Sequence, residues 1–162
     1  MGSMAERLSR NFEYVFEKAG WGWHEPLLKS IAGLTAAQAA SAPAGRHSVW
    51  QIVEHLALWK EYMAGRMAGE SRQPTGWARQ ADWKDIDELT EDAWQAAIQR
   101  LVNAQTSVKA ELAKRLDDEL DQPLSGTDVP LYAIIQGLIA HDSYHCGQIR
   151  YIRALQGIPT EP

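Results

Sequence analysis

Cysteine is nearly absent: Cys146 stands alone among 162 residues, so no intramolecular disulfide can form and a reducing, cytoplasmic setting is expected. Basic runs are absent as well. With a formal net charge of −5 and no cluster of Lys and Arg, the chain offers nothing to the phosphates of a nucleic acid. Long apolar runs are also missing. The longest, around Leu131 to Ala140, is too short to span a bilayer and is interrupted by Gln136, so no membrane association is expected. No basic segment followed by an apolar one opens the chain, and no secretory signal is expected. Strand-like alternation of apolar and polar residues is nowhere strong.

What remains is an ordinary soluble composition, 45% apolar and 23% charged, at a length suited to one core. Met1-Gly2-Ser3 ahead of Met4 reads as the leftover of an expression tag, so a single domain is expected over 4–162. Four long helical patterns fill it. The first runs from about Ala5 to Ile31 with Leu8, Phe12, Val15 and Phe16 at helical spacing, and is expected to bend near Gly20 and Gly22, since Pro26 cannot continue an unbroken ladder. Thr35 and Gln38 have capping-box spacing within the connection from Gly33 to Gly45. Ser48 and Gln51 repeat that spacing and open the second helix, which is expected to fade near Gly69.

A polar connection of roughly 20 residues, about 70–90, follows with Pro74, Gly76, Trp77 and Trp83, long enough to suggest a functional crossover. Thr90, with Glu91 and Asp92 behind it, starts the third helix, predicted to reach about Leu116. After a turn region from Asp117 to Thr127, Asp128 is the expected N-cap of a fourth helix with Pro130 in its first turn, ending near Leu155 before Gly157 and Pro159. The expected fold is an all-α four-helix bundle with a long crossover between helices two and three.

Polar residues interrupt two apolar stripes. On helix four the stripe reads Ile134, Leu138, His141, His145, Gln148, Ile152 and Leu155. Histidines four apart lie one turn apart on one side of a helix, about 5–6 Å between Cβ atoms, so both rings can reach one metal ion. On helix two the stripe Ile52, His55, Trp59, Tyr62 is broken by His55 alone. Burying three imidazoles without partners is costly, whereas a shared divalent cation takes one nitrogen from each ring and leaves the other N–H for an outer acceptor. Gln148 is a candidate for that acceptor. The competing account is three satisfied core histidines and no metal. His24 and His47, in connections, are not recruited.

Smaller assignments follow from helical geometry. Cys146 lies 100° around the helix from His145 and is expected to be a small buried residue, and Asp142 is likewise off the ligand stripe. Tyr62, Trp59 and Tyr144 flank the stripes and are candidate pocket residues. Trp77 and Trp83 are candidates to cover the site from the crossover or to anchor it.

Several helical metalloprotein classes are excluded by spacing. Ferritin-like di-iron proteins need two Glu-x-x-His units, and none occurs. The zincin His-Glu-x-x-His is also missing. His141-Asp142 lacks the downstream Asp that an HD-type phosphohydrolase needs, and hemerythrin-like sites need more inward histidines and carboxylates.

Two segments resemble a known family: Ser48-Val-Trp-Gln-Ile-Val-Glu-His55-Leu, and His141-Asp-Ser-Tyr-His145-Cys-Gly-Gln148-Ile-Arg150. Together with Gly33-Leu34-Thr35 they are similar to the DinB/YfiT-like four-helix metalloproteins, over essentially the whole chain after Ser3. The resemblance implies a homodimer and a three-histidine site for one divalent ion: nickel, zinc, iron or manganese. It also implies a small-molecule substrate. Family members include metal-dependent hydrolases and thiol-dependent transferases or isomerases that use a low-molecular-weight thiol; many have no known activity.

Three neutral nitrogen ligands leave a cation open positions, as in catalytic sites. The expectation is therefore a metal-dependent enzyme of the thiol-transferase/isomerase or hydrolase type, with a non-catalytic, stress-related, metal- or small-molecule-binding dimeric module as the alternative. No carboxylate falls on the histidine stripes, and Glu54 is 100° from His55, which leaves hydrolysis without a general base and slightly favours thiol chemistry. Metal loss is expected below roughly pH 5–6, where free imidazole protonates.

Overall fold

In a computed structural model describing residues 2–18, 24–70 and 81–159, every regular element is a helix. They are α1 (Met4–Phe16), α2 (Leu27–Ile31), α3 (Ala36–Ala40), α4 (Val49–Met67), α5 (Glu91–Leu112), α6 (Asp117–Leu120) and α7 (Leu131–Leu155). The all-α expectation holds for the described residues. Pro74, Gly76, Trp77, Gly20 and Gly22 lie outside them.

Local chemistry sets most of the boundaries. Thr35 and Ser48 each accept from the backbone N–H three residues on, while Gln38 and Gln51 return the bond to the cap backbone, so both capping boxes form. Thr90 caps α5 by accepting from Ala93 N–H. Glycines at positive φ, Gly69 at +91° and Gly157 at +68°, follow the ends of α4 and α7 and need no Cβ accommodated there.

Four boundaries differ from expectation. The first helical pattern is two elements, with α1 stopping at Phe16 and α2 restarting after Pro26, whose carbonyl accepts from Ser30 N–H. Ser3, set aside as a leftover, is the N-cap of α1 in a capping box with Glu6. Helix α5 ends four residues early, at Leu112. Pro130, not Asp128, precedes α7, because Leu124 N–H bonds Val129 O and Leu131 N–H bonds Gln122 O, closing 122–131 into a tight loop first.

Side-chain contacts fix helix directions. Trp50 meets Trp94, Arg100 reaches Glu54 and Glu61, and Arg115 bonds the Met67 carbonyl, so α4 and α5 run parallel. A parallel pair of consecutive long helices requires the long crossover. Helix α7 runs antiparallel to α4: His55 faces His141, Lys60 faces Asp142, and Arg66 reaches the Ser125 carbonyl.

The core forms two apolar clusters. One gathers Leu27, Ile31, Val53, Trp94, Leu101 and Ile149; the other gathers Leu8, Phe12, Met67, Leu112, Leu120 and Ile135. Between them α4 and α7 contribute a polar layer. Lys60, 1% exposed, donates to Asp142 Oδ2 at 2.7 Å, with its ammonium 5.1 Å from the centre of the Phe12 ring. Burial pushes the Lys60 pKa down and the Asp142 pKa up, and the partner opposes each shift.

Removing one member of such a pair strands a charge in the core. Lys60→Met is expected to cost about 3–5 kcal/mol in urea unfolding at neutral pH, and the double variant Lys60→Met/Asp142→Leu much less. Equal costs for single and double variants would count against an ion pair.

Candidate metal centre

His55 sits near the middle of α4, and His141 and His145 one turn apart on α7, and the antiparallel crossing points all three rings at one another. His141 Nε2 lies 3.1 Å from His55 Nε2 and 2.9 Å from His145 Nε2. One ligand atom from each of the three lies within 4.8 Å of the others. Metal–nitrogen bonds of about 2.0–2.1 Å place adjacent ligand nitrogens about 2.8–3.4 Å apart, between octahedral and tetrahedral angles. The two separations from His141 Nε2 fall in that range.

The outer ring nitrogens decide the tautomers. Asp82 Oδ1 accepts from His55 Nδ1–H at 2.7 Å, and Gln148 Oε1 accepts from His145 Nδ1–H at 2.7 Å. Each bond leaves a lone pair on Nε2, aimed at the cluster. Gln148 is held in turn by donating its amide to Tyr144 OH at 2.9 Å. His141 Nε2 brings either a proton or a third lone pair. A proton serves one neighbouring lone pair at a time; a cation serves all three. The donor set therefore fits a divalent metal of the kind that accepts imidazole.

All three rings favour the neutral, ligating form. Burial is the largest cause in each case, lowering His55, taking His141 to about 4 and His145 to about 3, with the neighbouring rings adding to the last two. Asp82 partly opposes this at His55. These values move the expected proton competition at His141 and His145 below the pH 5–6 suggested by free imidazole.

Asp82 is the residue that sequence reasoning missed. It lies in the crossover, where no periodicity marks it, and also accepts from Trp59 Nε1–H at 3.2 Å and Trp83 N–H at 3.1 Å. Trp83 has φ +57°, an uncommon backbone for a bulky residue, and stacks on His55 with ring centroids 4.0 Å apart. His47, in the connection before α4, stacks on Trp83 with ring centroids 3.7 Å apart. It is no ligand but belongs to the surroundings.

The remaining expected residues divide. Trp59 is tied to Asp82, and Tyr144 sits edge-on to His145, 4.9 Å away. Tyr62 is buried against Trp59 and lines no part of the cavity beside the cluster. Cys146 is buried and donates to the Glu25 carbonyl, and Glu54 is engaged by Arg100. The buried side of α7 runs through Leu131, Ile135, Asp142, His145, Cys146, Ile149, Ile152 and Arg153, so His145 and Ile152 of the expected stripe are buried while Leu155 is exposed. The expected stripe is thus buried at His145 and Ile152 and lies at the edge of the core elsewhere. His141 and Gln148 lie on that edge, half-buried, where a cavity of about 640 Å³ opens onto His55 and His145.

A family model described as the DinB superfamily matches residues 23–149, so the chain belongs to the DinB superfamily. No curated protein and no solved structure matches it.

The lowered histidines carry a pH signature. In the unfolded chain these rings take up protons below about 6.5, whereas His141 and His145 in the fold do so only near 4 and 3. The unfolded state then binds more protons in that window, so metal-free protein is expected to lose stability as pH falls from about 6.5 toward 4. His145→Gln removes one such group, and its urea midpoint should fall less steeply over that window. An unchanged slope would contradict the burial of a neutral His145.

Proposed function

We propose that this DinB superfamily member holds one divalent metal ion on His55, His141 and His145 and uses it on a small molecule in the adjoining cavity, with thiol transfer or isomerisation as the reaction type. The observation that carries this is the convergence of three Nε2 atoms beside a cavity of about 640 Å³, a size suited to a small ligand. When bound, such a cation supplies Lewis acidity, lowering the pKa of a thiol or of water in an open position.

The chain's own residues supply orientation and dryness. Asp82 and Gln148 hold the tautomers of His55 and His145, and Trp83 braces the His55 ring. Ile52, Ile152 and Leu155 line the cavity and limit water around the reacting groups. Among the described residues the carboxylates beside the cluster are already engaged: Asp82 takes three N–H donors, and Glu54 is held by Arg100. Hydrolysis assisted by a separate general base is therefore less well served than thiol chemistry, in which the thiolate is itself the nucleophile. Nickel, zinc, iron and manganese all suit imidazole nitrogen.

The homodimer and the cytoplasmic setting belong to the same proposal. No described helix is long and apolar enough to cross a membrane.

Cobalt(II) titration followed by visible absorption tests the ligand set, and a thiol panel tests the chemistry. His55→Ala and His141→Ala are expected to abolish tight uptake, and Asp82→Asn to weaken it by about 10–100-fold. A sulfur-to-cobalt charge-transfer band should appear when thiol is added to the loaded parent protein. Uptake by the His→Ala variants equal to the parent would refute the ligand assignment; a loaded protein inert toward every thiol would refute the reaction type.

A further inference from the structure

The cavity beside the histidines has an uneven charge. The chain carries 21 acidic residues against 16 basic ones, yet among the described residues no Asp or Glu lines this cavity. The one permanently charged side chain on its described lining is Arg46, which stands beside histidines and the phenols of Tyr144 and Tyr151. Arg46 lies in the turn closed by its own N–H to the Pro43 carbonyl at 2.9 Å, two residues before the Ser48 cap of α4. Its side chain is exposed and makes no ion pair or hydrogen bond among the described residues. Arg100 and Arg153, by contrast, are engaged, the first by two glutamates and the second by three carbonyls. Beside Arg46 and the histidines the wall is largely hydrocarbon and aromatic, with Ile52, Tyr151, Ile152 and Leu155.

We propose that this cavity selects a small apolar anion, with a carboxylate taken by Arg46 and an aliphatic or aromatic body lying along Ile52, Tyr151, Ile152 and Leu155 toward the histidines. A planar guanidinium offers two parallel N–H donors to a carboxylate. The largely apolar wall rewards a hydrocarbon body more than a sugar or a polar peptide. Along the described lining an entering anion meets no carboxylate. This assignment rests on the cavity being the substrate side of the proposed metal centre, and names the substrate class: an apolar carboxylic acid whose far end reaches the metal.

The test uses a matched pair of probes, phenylbutyrate and phenylbutanol, titrated calorimetrically into the metal-free full chain, where the probe cannot ligate a cation. Phenylbutyrate is expected to bind about threefold to tenfold more tightly, a preference that salt reduces. Arg46→Ala should bring the two dissociation constants together, and Arg46→Lys should keep part of the difference. Leu155→Asp should weaken both probes. Equal affinities in the parent chain, a preference that survives Arg46→Ala, or failure to bind either probe overturns the proposal. Because no metal enters, failure here leaves the cobalt result standing, and failure of cobalt uptake leaves this preference intact.

Discussion

Nitrogen lone pairs aimed at one another repel, and much of the molecule's organisation follows from holding such an arrangement. His55 and His145 each spend their Nδ1–H on an outer acceptor, which leaves their Nε2 lone pairs directed at the ring of His141 about one hydrogen-bond length away. Hydrophobic burial alone would not favour this, because each polar ring in the interior costs free energy unless its donor and acceptor are both served. The arrangement is economical when a cation occupies the centre. Burial then helps by keeping the imidazoles neutral, and the outer acceptors keep the right nitrogens free.

The site is tied to the topology through the crossover. Parallel α4 and α5 cannot be joined by a tight turn, so the chain must travel back along the molecule between them. The final part of that path places Asp82 against the Nδ1 of His55 and lays Trp83 on its face. A connection that looks like a cost of the topology thus furnishes one of the ligand's supports. The left-handed backbone at Trp83 is local strain that the surrounding stacking between His47 and His55 retains. On the other side of the polar layer, the Lys60–Asp142 pair connects α4 to α7 immediately beside His141, so core packing and site geometry share the same two helices.

Much of the fold and the central trio were legible because they depend on local rules. Capping boxes at Thr35 and Ser48, the Thr90 cap, and the glycines after α4 and α7 are short-range signals, and the structure uses them all. The three histidines stood out because helical spacing places them among apolar neighbours. Ser3 and Pro130 show the limit of such signals: one was set aside for its origin, and the other acts as boundary because a nearby loop closes first. The expected stripe on α7 covers only part of the buried side, His145 and Ile152, since a helix touching several partners has a broad contact face with no sharp centre. Asp82, Trp83 and His47 were not legible as site residues because their placement depends on the path of irregular segments. Lys60 was hidden by its type, since a lysine reads as surface until its buried partner is known.

The most direct measurement is X-ray diffraction from metal-loaded crystals with data collected at the absorption edge of the added ion. The account requires one anomalous peak per chain, about 2.0–2.1 Å from the Nε2 atoms of His55, His141 and His145, with Asp82 still hydrogen-bonded to His55 Nδ1. A peak bound elsewhere, ligation through Nδ1, or a histidine cluster without a peak in crystals soaked to saturation would contradict it.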